Sequence, residues 1–102
     1  MILHTVLIRF KSSVDKAQKK EIFEAIVALK DRLSGITDVR YGPNVSPEGL
    51  GGSFQDALVV TFENIEARDA YLVHAEHVAV GERIVASADG GLAGLLVFDL
   101  DI

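Results

Sequence analysis

Four polar side chains interrupt otherwise apolar patterns in this sequence, and they are the residues that could do chemistry. His4 and Asp56 each lie in a stretch that alternates like a strand, while Tyr71 and His77 fall on the apolar side of a helical periodicity. A buried imidazole can accept a proton near neutral pH, and a tyrosine hydroxyl or second imidazole can hold a carbonyl oxygen. Two interpretations stay open: each group is satisfied separately in the core, or all four line one cavity between a sheet and its helices.

Other kinds of site lack the residues they need. The chain has no cysteine, which excludes thiolate nucleophiles and cysteine-based metal centres. The glycine-rich residues 49–53 lead into a predicted strand rather than a helix, which favours a turn over a phosphate loop. His74 and His77 are three residues apart without a carboxylate at a matching spacing, so we expect no metal site. No flavin or nicotinamide motif is present, and we expect no cofactor.

Length and charge limit the partners. A chain of 102 residues favours a single domain, spanning residues 1–102. The net charge of −5 argues against a nucleic-acid partner and against an anionic membrane surface. The longest apolar run, residues 90–98, is too short to span a bilayer, and the first residues lack the features of a signal peptide. We therefore expect a cytoplasmic protein.

The elements that would position these side chains alternate along the chain. Alternation predicts strands at residues 2–10 and 54–62, a last strand at 92–100, and a weaker strand within 36–46. Asp15 and Gln18 have the spacing of a capping box, which predicts a helix from Asp15 to about Ser34, ended by Gly35. A second helix, capped by Asn64 and kinked near His74, would run to residue 88. The order predicts an α+β, ferredoxin-like βαββαβ sandwich: a four-stranded antiparallel sheet with both helices on one face.

The strands are apolar on both faces, although the helices would cover only one. Aliphatic, aromatic and glycine residues together exceed the roughly 45–50% of a typical soluble domain. The uncovered face would include Leu3, Leu7, Val59, Leu95 and Val97, or their neighbours of opposite parity. A second copy packed against this face would bury it, so we expect a homodimer formed through the sheets.

Five stretches of the chain also resemble a known family. They are residues 4–11, 42–49, 56–62, 71–78 and 96–99, and residues 71–77 are the most specific. In these stretches the sequence resembles the stress-responsive dimeric α/β-barrel (stress-response A/B barrel, Dabb) family. The resemblance implies a ferredoxin-like protomer that dimerises through its sheet into a barrel. Ala75 departs from the family, which usually has proline there.

The resemblance also implies a site, because some proteins similar to this family are cofactor-free polyketide cyclases. By that similarity His77 would be the general base, Tyr71 its partner, and His4 a pocket histidine. Asp56, Ile26 and Phe23 would contact the substrate, although Asp56 replaces a pocket histidine and Ile26 a pocket tyrosine. Three functions are left open: a protein that binds a small hydrophobic ligand, a cofactor-independent cyclase, lyase or isomerase, and a structural oligomerisation module.

Overall fold

A computed structural model describes all of residues 1–102 and contains one four-stranded sheet and three α-helices. The strands are β1 (Ile2–Ile8), β2 (Ile36–Pro43), β3 (Asp56–Phe62) and β4 (Leu95–Asp101), and the helices are α1 (Lys16–Val27), α2 (Ile65–Val73) and α3 (Ala75–Ser87). The strands are ordered β2-β3-β1-β4 and all neighbours are antiparallel. The predicted ferredoxin-like α+β sandwich is confirmed. No helix is long and apolar enough to cross a membrane.

Short-range signals begin and end the helices. Asp15 accepts a hydrogen bond from the Gln18 amide and Gln18 returns one to Asp15, which confirms the predicted capping box. The first helix is shorter than predicted, because residues after Val27 tighten into a 3₁₀ turn at Ala28–Asp31. Gly35 then reverses the chain with a φ of 88°, a conformation that glycine adopts without steric cost.

The core lies between the helices and one face of the sheet. Sixteen buried hydrophobic residues form a single cluster. Side chains of the even-numbered residues of β1 point into it, and they are joined by those of β3 in matching register and by the apolar sides of α1 and α3. His4 lies in this inward row and is 5% exposed, so the alternation that placed it inward is confirmed.

The opposite face of the sheet carries exposed apolar side chains. Leu96, Phe98 and Leu100 of β4 are 42%, 61% and 51% exposed. They pair in register with residues Leu7, Thr5 and Leu3, the outward side of β1. Leu95 and Val97 instead pair with Ile8 and Val6 on the helix side. Of the residues predicted for the uncovered face, Leu3, Leu7 and Val59 lie on it, whereas Leu95 and Val97 lie on the helix side. The antiparallel register decides which side chains of β4 face outward, and the apolar pattern of that strand does not reveal it.

Candidate functional site

Two imidazoles and one phenol meet where the sheet joins the helices. The ring centroid of Tyr71, at the end of α2, lies 6.0 Å from that of His4 on β1. It lies 4.0 Å from the centroid of His77, in the first turn of α3. The structure therefore packs Tyr71 against both histidines and brings together three of the four polar groups singled out in the sequence.

A break in the helix at His74 makes this arrangement possible. In one continuous helix, residues 71 and 77 would point about 120° apart and could not stack. His74 instead takes an extended conformation, with φ −70° and ψ 133°, and separates α2 from α3. Its imidazole accepts a hydrogen bond from the Glu76 amide and so caps α3. The sequence indicated only a kink here, whereas the structure has a complete break that turns His77 towards Tyr71.

The hydrogen bond of His77 identifies its free nitrogen. Its Nδ1 lies 3.3 Å from the carbonyl oxygen of Leu72. Because a carbonyl only accepts, Nδ1 carries the proton and Nε2 keeps its lone pair. Burial lowers the pKa of His77 below its usual value; the hydrogen bond to Leu72 opposes this, and the nearby His4 and His74 lower the pKa further. His77 is therefore a neutral imidazole at pH 7 with an unprotonated nitrogen available as a base.

His4 is held by a carboxylate that is itself held by a guanidinium. The Nδ1 atom of His4 lies 2.7 Å from Oδ1 of Asp99 on β4. The other oxygen of Asp99 accepts a hydrogen bond of 2.7 Å from Nη1 of Arg68 on α2. Burial by itself would raise the pKa of Asp99, but the hydrogen bonds from Arg68 and His4 outweigh it and leave the pKa below its usual value. Asp99 is thus an anion that fixes the His4 ring through Nδ1.

Asp99 and Arg68 were not singled out from the sequence. A signal for Asp99 existed, since it is a carboxylate in the apolar stretch 92–100, the same kind of interruption that drew attention to Asp56. Its partner could not be inferred, because His4 and Asp99 are 95 residues apart and meet only through the β1–β4 register. Arg68 gave no signal, because a charged residue near a helix start is ordinarily solvated.

Two further polar atoms of this group have no hydrogen-bond partner within the chain. Every occluded side-chain nitrogen or oxygen in the protein has such a partner. The Tyr71 hydroxyl and the Nε2 atom of His4 have none, so neither atom is completely occluded. Burial raises the pKa of Tyr71, so its hydroxyl stays protonated at neutral pH and is able to donate.

An apolar cavity opens beside these groups. It has a volume of about 650 Å³ and lies between α3, the end of α2 and the inward side of β4. His4, His77 and Glu82 are its polar lining residues, and aliphatic side chains form most of the rest, including Leu72, Val78, Ile84, Leu95 and Val97. A cavity of this size, mostly apolar with a few convergent polar groups, suits a small organic ligand.

The other predicted site residues lie elsewhere, which corrects the hypothesis of one shared cavity. Asp56 pairs in register with Ile8, four residues along β1 from His4, a separation of about 13 Å. Asp56 and Phe23 line a different cavity at that end of the sheet. Ile26 is 1% exposed and packs in the core. The inward parity predicted for Asp56 is confirmed, but alternation could not show how far along the strand it lies from His4.

The two histidines of the HxxH spacing have separate roles in the structure. His74 caps α3, whereas His77 stacks on Tyr71. No group of three or more histidine, cysteine, aspartate or glutamate side chains is arranged to hold a metal ion.

Comparison with known families supports both the fold and the family resemblance seen in the sequence. The model of the stress responsive A/B barrel domain family matches residues 2–102. This chain belongs to that family. The cyclase named olivetolic acid cyclase, from Cannabis sativa, is 30% identical over 81 residues, which are 79% of this chain and 80% of the cyclase.

Solved structures of other proteins share the fold. A dimeric ferredoxin-like protein of unknown function from Jannaschia sp. CCS1 is 31% identical, with a TM-score of 0.92 over 99% of this chain and 98% of its own. A hydroxynitrile lyase from Passiflora edulis has a TM-score of 0.86 over 99% of this chain and 92% of its own. At 16% identity that likeness concerns the fold alone.

Proposed function

We propose that this A/B barrel protein binds a small, mostly apolar carbonyl compound and removes a proton from the carbon beside the carbonyl. The observation that carries the proposal is the group formed by His77, Tyr71 and His4: the two histidines line an aliphatic cavity, and the Tyr71 ring packs against both of them. A neutral base and a hydrogen-bond donor close to one another are the two parts that such a proton transfer needs.

Each side chain has one role in this step. The Nε2 atom of His77 takes the proton, since its Nδ1 is committed to Leu72. The Tyr71 hydroxyl donates a hydrogen bond to the carbonyl oxygen as that oxygen gains negative charge. His4 offers only its Nε2 to the ligand, because Asp99 holds its Nδ1 and fixes the direction of the ring. No group outside the chain is required for this proton transfer.

The family relationship supports chemistry on a small organic molecule. The relative at 30% identity is named a cyclase, and the residues proposed here lie in the stretches that carry the resemblance. Asp56 and Ile26 differ from the residues expected of such a cyclase, and in this chain they lie outside the cavity of His4 and His77. The proposal therefore extends to the proton transfer and leaves the ring-closing step and its substrate aside.

Exchange of carbon-bound protons tests the proposal directly. A set of β-polyketones and aryl ketones is first screened for compounds that raise the melting temperature. For each ketone that binds, NMR in D₂O then follows the replacement of the protons beside the carbonyl by solvent deuterium. Phenylacetone is included among the ketones that are screened. We expect the native protein to exchange the protons beside the carbonyl, and His77→Gln to slow this by about 10²-fold or more, the usual contribution of a general base.

His74→Asn is the matched control for His77→Gln. It removes a neighbouring imidazole but retains a side chain that caps a helix, so exchange should be slowed far less than by His77→Gln. If ketones bind but their protons exchange no faster than in buffer, the general-base role of His77 is wrong. The protein would then be a carrier of small apolar ligands, the function favoured by the aliphatic lining alone.

We also propose that the protein is a homodimer joined through the open face of the sheet. The exposed apolar side chains of β4 form a row on that face, and a relative of 31% identity is dimeric. Phe98→Asp should give a monomer in light scattering after gel filtration. Val73→Asp, which changes an apolar residue 80% exposed at the end of α2, should leave a dimer. A native protein that is monomeric at micromolar concentration would refute the assignment.

A further inference from the structure

A glycine in the middle of α3 lines the cavity of His4 and His77. This residue, Gly81, lies midway between the two ends of the helix, Ala75 and Ser87. Glycine in the middle of a helix is destabilising relative to alanine, because it loses more conformational freedom when the chain folds. The stability of α3 therefore does not explain why glycine occupies position 81.

The two usual structural reasons for a glycine are absent at position 81. The φ of Gly81 is not positive, unlike that of Gly35, so its backbone conformation suits other residues as well. A Cβ atom built on Gly81 meets nothing within 4 Å beyond the adjoining backbone of α3, whereas one built on Gly94 would collide with the carbonyl oxygen of Asp89. Glycine at position 81 therefore provides open space in the wall of the cavity.

This open space lies next to the ring that is proposed as the base. Residues four apart in a helix are neighbours on one side of it, with Cβ atoms about 5–6 Å apart, and His77 and Gly81 both line the cavity. Helical side chains lean towards the start of their helix. Any side chain at position 81 would therefore lean towards the turn that carries His77, and glycine leaves that place unfilled.

The sheet side of the same cavity is also incompletely covered. The side chain of Val97 lies on the helix side of β4, in register with the buried Val6, yet it is 57% exposed. Leu95 lies on the same side and is only partly buried. Both line the cavity together with Gly81. Apolar side chains on the sheet side and bare backbone on the helix side suit an apolar substituent of the ligand.

The geometry of proton transfer indicates which substituent needs this space. A base takes a proton from a carbon in direct contact with it, so the other groups on that carbon also lie close to the imidazole of His77. A ring on that carbon needs room beside His77. A ring on the far side of the carbonyl does not.

We propose that Gly81 is a specificity-determining residue that lets the protein accept ketones with a ring on the carbon that loses the proton. The proposal rests on the proposed function, because His77 identifies that carbon. It adds the substrate class, which is ketones substituted on the proton-donating carbon. With a large side chain at position 81, only ketones whose proton-donating carbon is unsubstituted would fit.

Two uncharged ketones and two leucine variants test this role. Phenylacetone carries its ring on a proton-donating carbon, whereas acetophenone carries its ring on the carbonyl and donates only from a methyl group. Gly81→Leu should weaken the binding of phenylacetone, and slow deuterium exchange at its ring-bearing carbon, by about tenfold or more, as expected for an excess group in an apolar pocket. It should affect acetophenone far less. Ala79→Leu adds the same side chain at an exposed position of α3 outside the cavity and should affect neither ketone.

Gly81→Ala separates a role in specificity from a role in folding. Alanine favours a helix and meets no neighbouring segment here, so the melting temperature of the free protein should rise by about 2–8 °C. Its affinity for phenylacetone should lie between those of the native protein and Gly81→Leu. A glycine required by the fold would instead give a lower melting temperature when it is replaced.

Binding is measured by ¹⁵N–¹H NMR titration, separately from exchange, so that the two proposals can fail independently. If the native protein binds phenylacetone without exchanging its protons, the base role of His77 is wrong, and the affinities alone decide the role of Gly81. That role is overturned if Gly81→Leu binds phenylacetone as tightly as the native protein, if it weakens both ketones equally, or if Gly81→Ala lowers the melting temperature. A native protein that binds neither ketone at millimolar concentration overturns both proposals.

Discussion

Asp99→Asn removes the charge that holds His4 and Arg68 in place, and its effect can be worked out from the contacts. The carboxylate accepts two hydrogen bonds of 2.7 Å, with its side chain 24% exposed and those of His4 and Arg68 7% and 22% exposed. Asparagine has one accepting oxygen, so one of the two bonds is lost and the other loses its charge. A hydrogen bond to a charged group contributes about 1.5–3 kcal/mol, and we expect a loss of about 2 kcal/mol after allowing for partial exposure.

Thermal and urea unfolding measure this loss. At about 4–8 °C per kcal/mol for a domain of this size, the melting temperature at pH 7 should fall by about 8–16 °C. Asp101→Asn is the matched control, since Asp101 lies on the same strand and side but is 71% exposed and approaches only the amino terminus, at 3.7 Å. Its substitution should change the free energy of unfolding by less than about 0.5 kcal/mol.

The pH dependence identifies the carboxylate as the cause. The pKa of Asp99 is lowered in the folded protein, so its stabilisation is present above the unfolded value of about 3.9 and is lost as the pH falls through the folded pKa. The stability difference between the native protein and Asp99→Asn should shrink below pH 4. Equal stabilities at pH 7, or a difference that does not shrink below pH 4, would refute the reasoning.

Other parts of the account are tested by simpler changes. The rate of proton exchange into a bound ketone should fall as the pH is lowered, with a midpoint below pH 6.5, because the pKa of His77 is lowered from 6.5; a midpoint at or above pH 6.5 would contradict this. Ile26→Ala should reduce the free energy of unfolding in urea by about 2–5 kcal/mol without changing the exchange rate of the folded protein, whereas a slower rate would mean that Ile26 contacts the ligand. Gly35→Ala should cost more than about 1 kcal/mol, because φ is 88° and an added Cβ would lie 2.4 Å from that of Ala67, while Gly42→Ala meets no atom within 4 Å; equal effects would contradict the fold at this turn.

The features that the sequence could predict are those determined by neighbours along the chain. Asp15 and Gln18 are three residues apart, so the capping box that they form is visible in the sequence and in the structure. The inward position of His4 likewise follows from the alternation of a single strand. Local periodicity and capping were sufficient to predict the order of elements and hence the sandwich.

The features that the sequence could not predict depend on how distant segments align. The β1–β4 register brings Asp99 to His4 and turns Phe98, rather than Val97, to the open face. The complete break at His74 depends on a side-chain cap that a continuous helical periodicity conceals. The separation of Asp56 from His4 is a distance along one strand, which an alternating pattern does not measure.

The protonation state of His77 tests the central claim most directly. Long-range ¹⁵N–¹H NMR distinguishes a protonated from an unprotonated ring nitrogen and follows each histidine through a pH titration. We expect a neutral His77 at pH 7 with its proton on Nδ1 and Nε2 unprotonated, and a pKa below the usual 6.5. A proton on Nε2 in the neutral ring, or a pKa at or above 6.5, would contradict the assignment of His77 as the base.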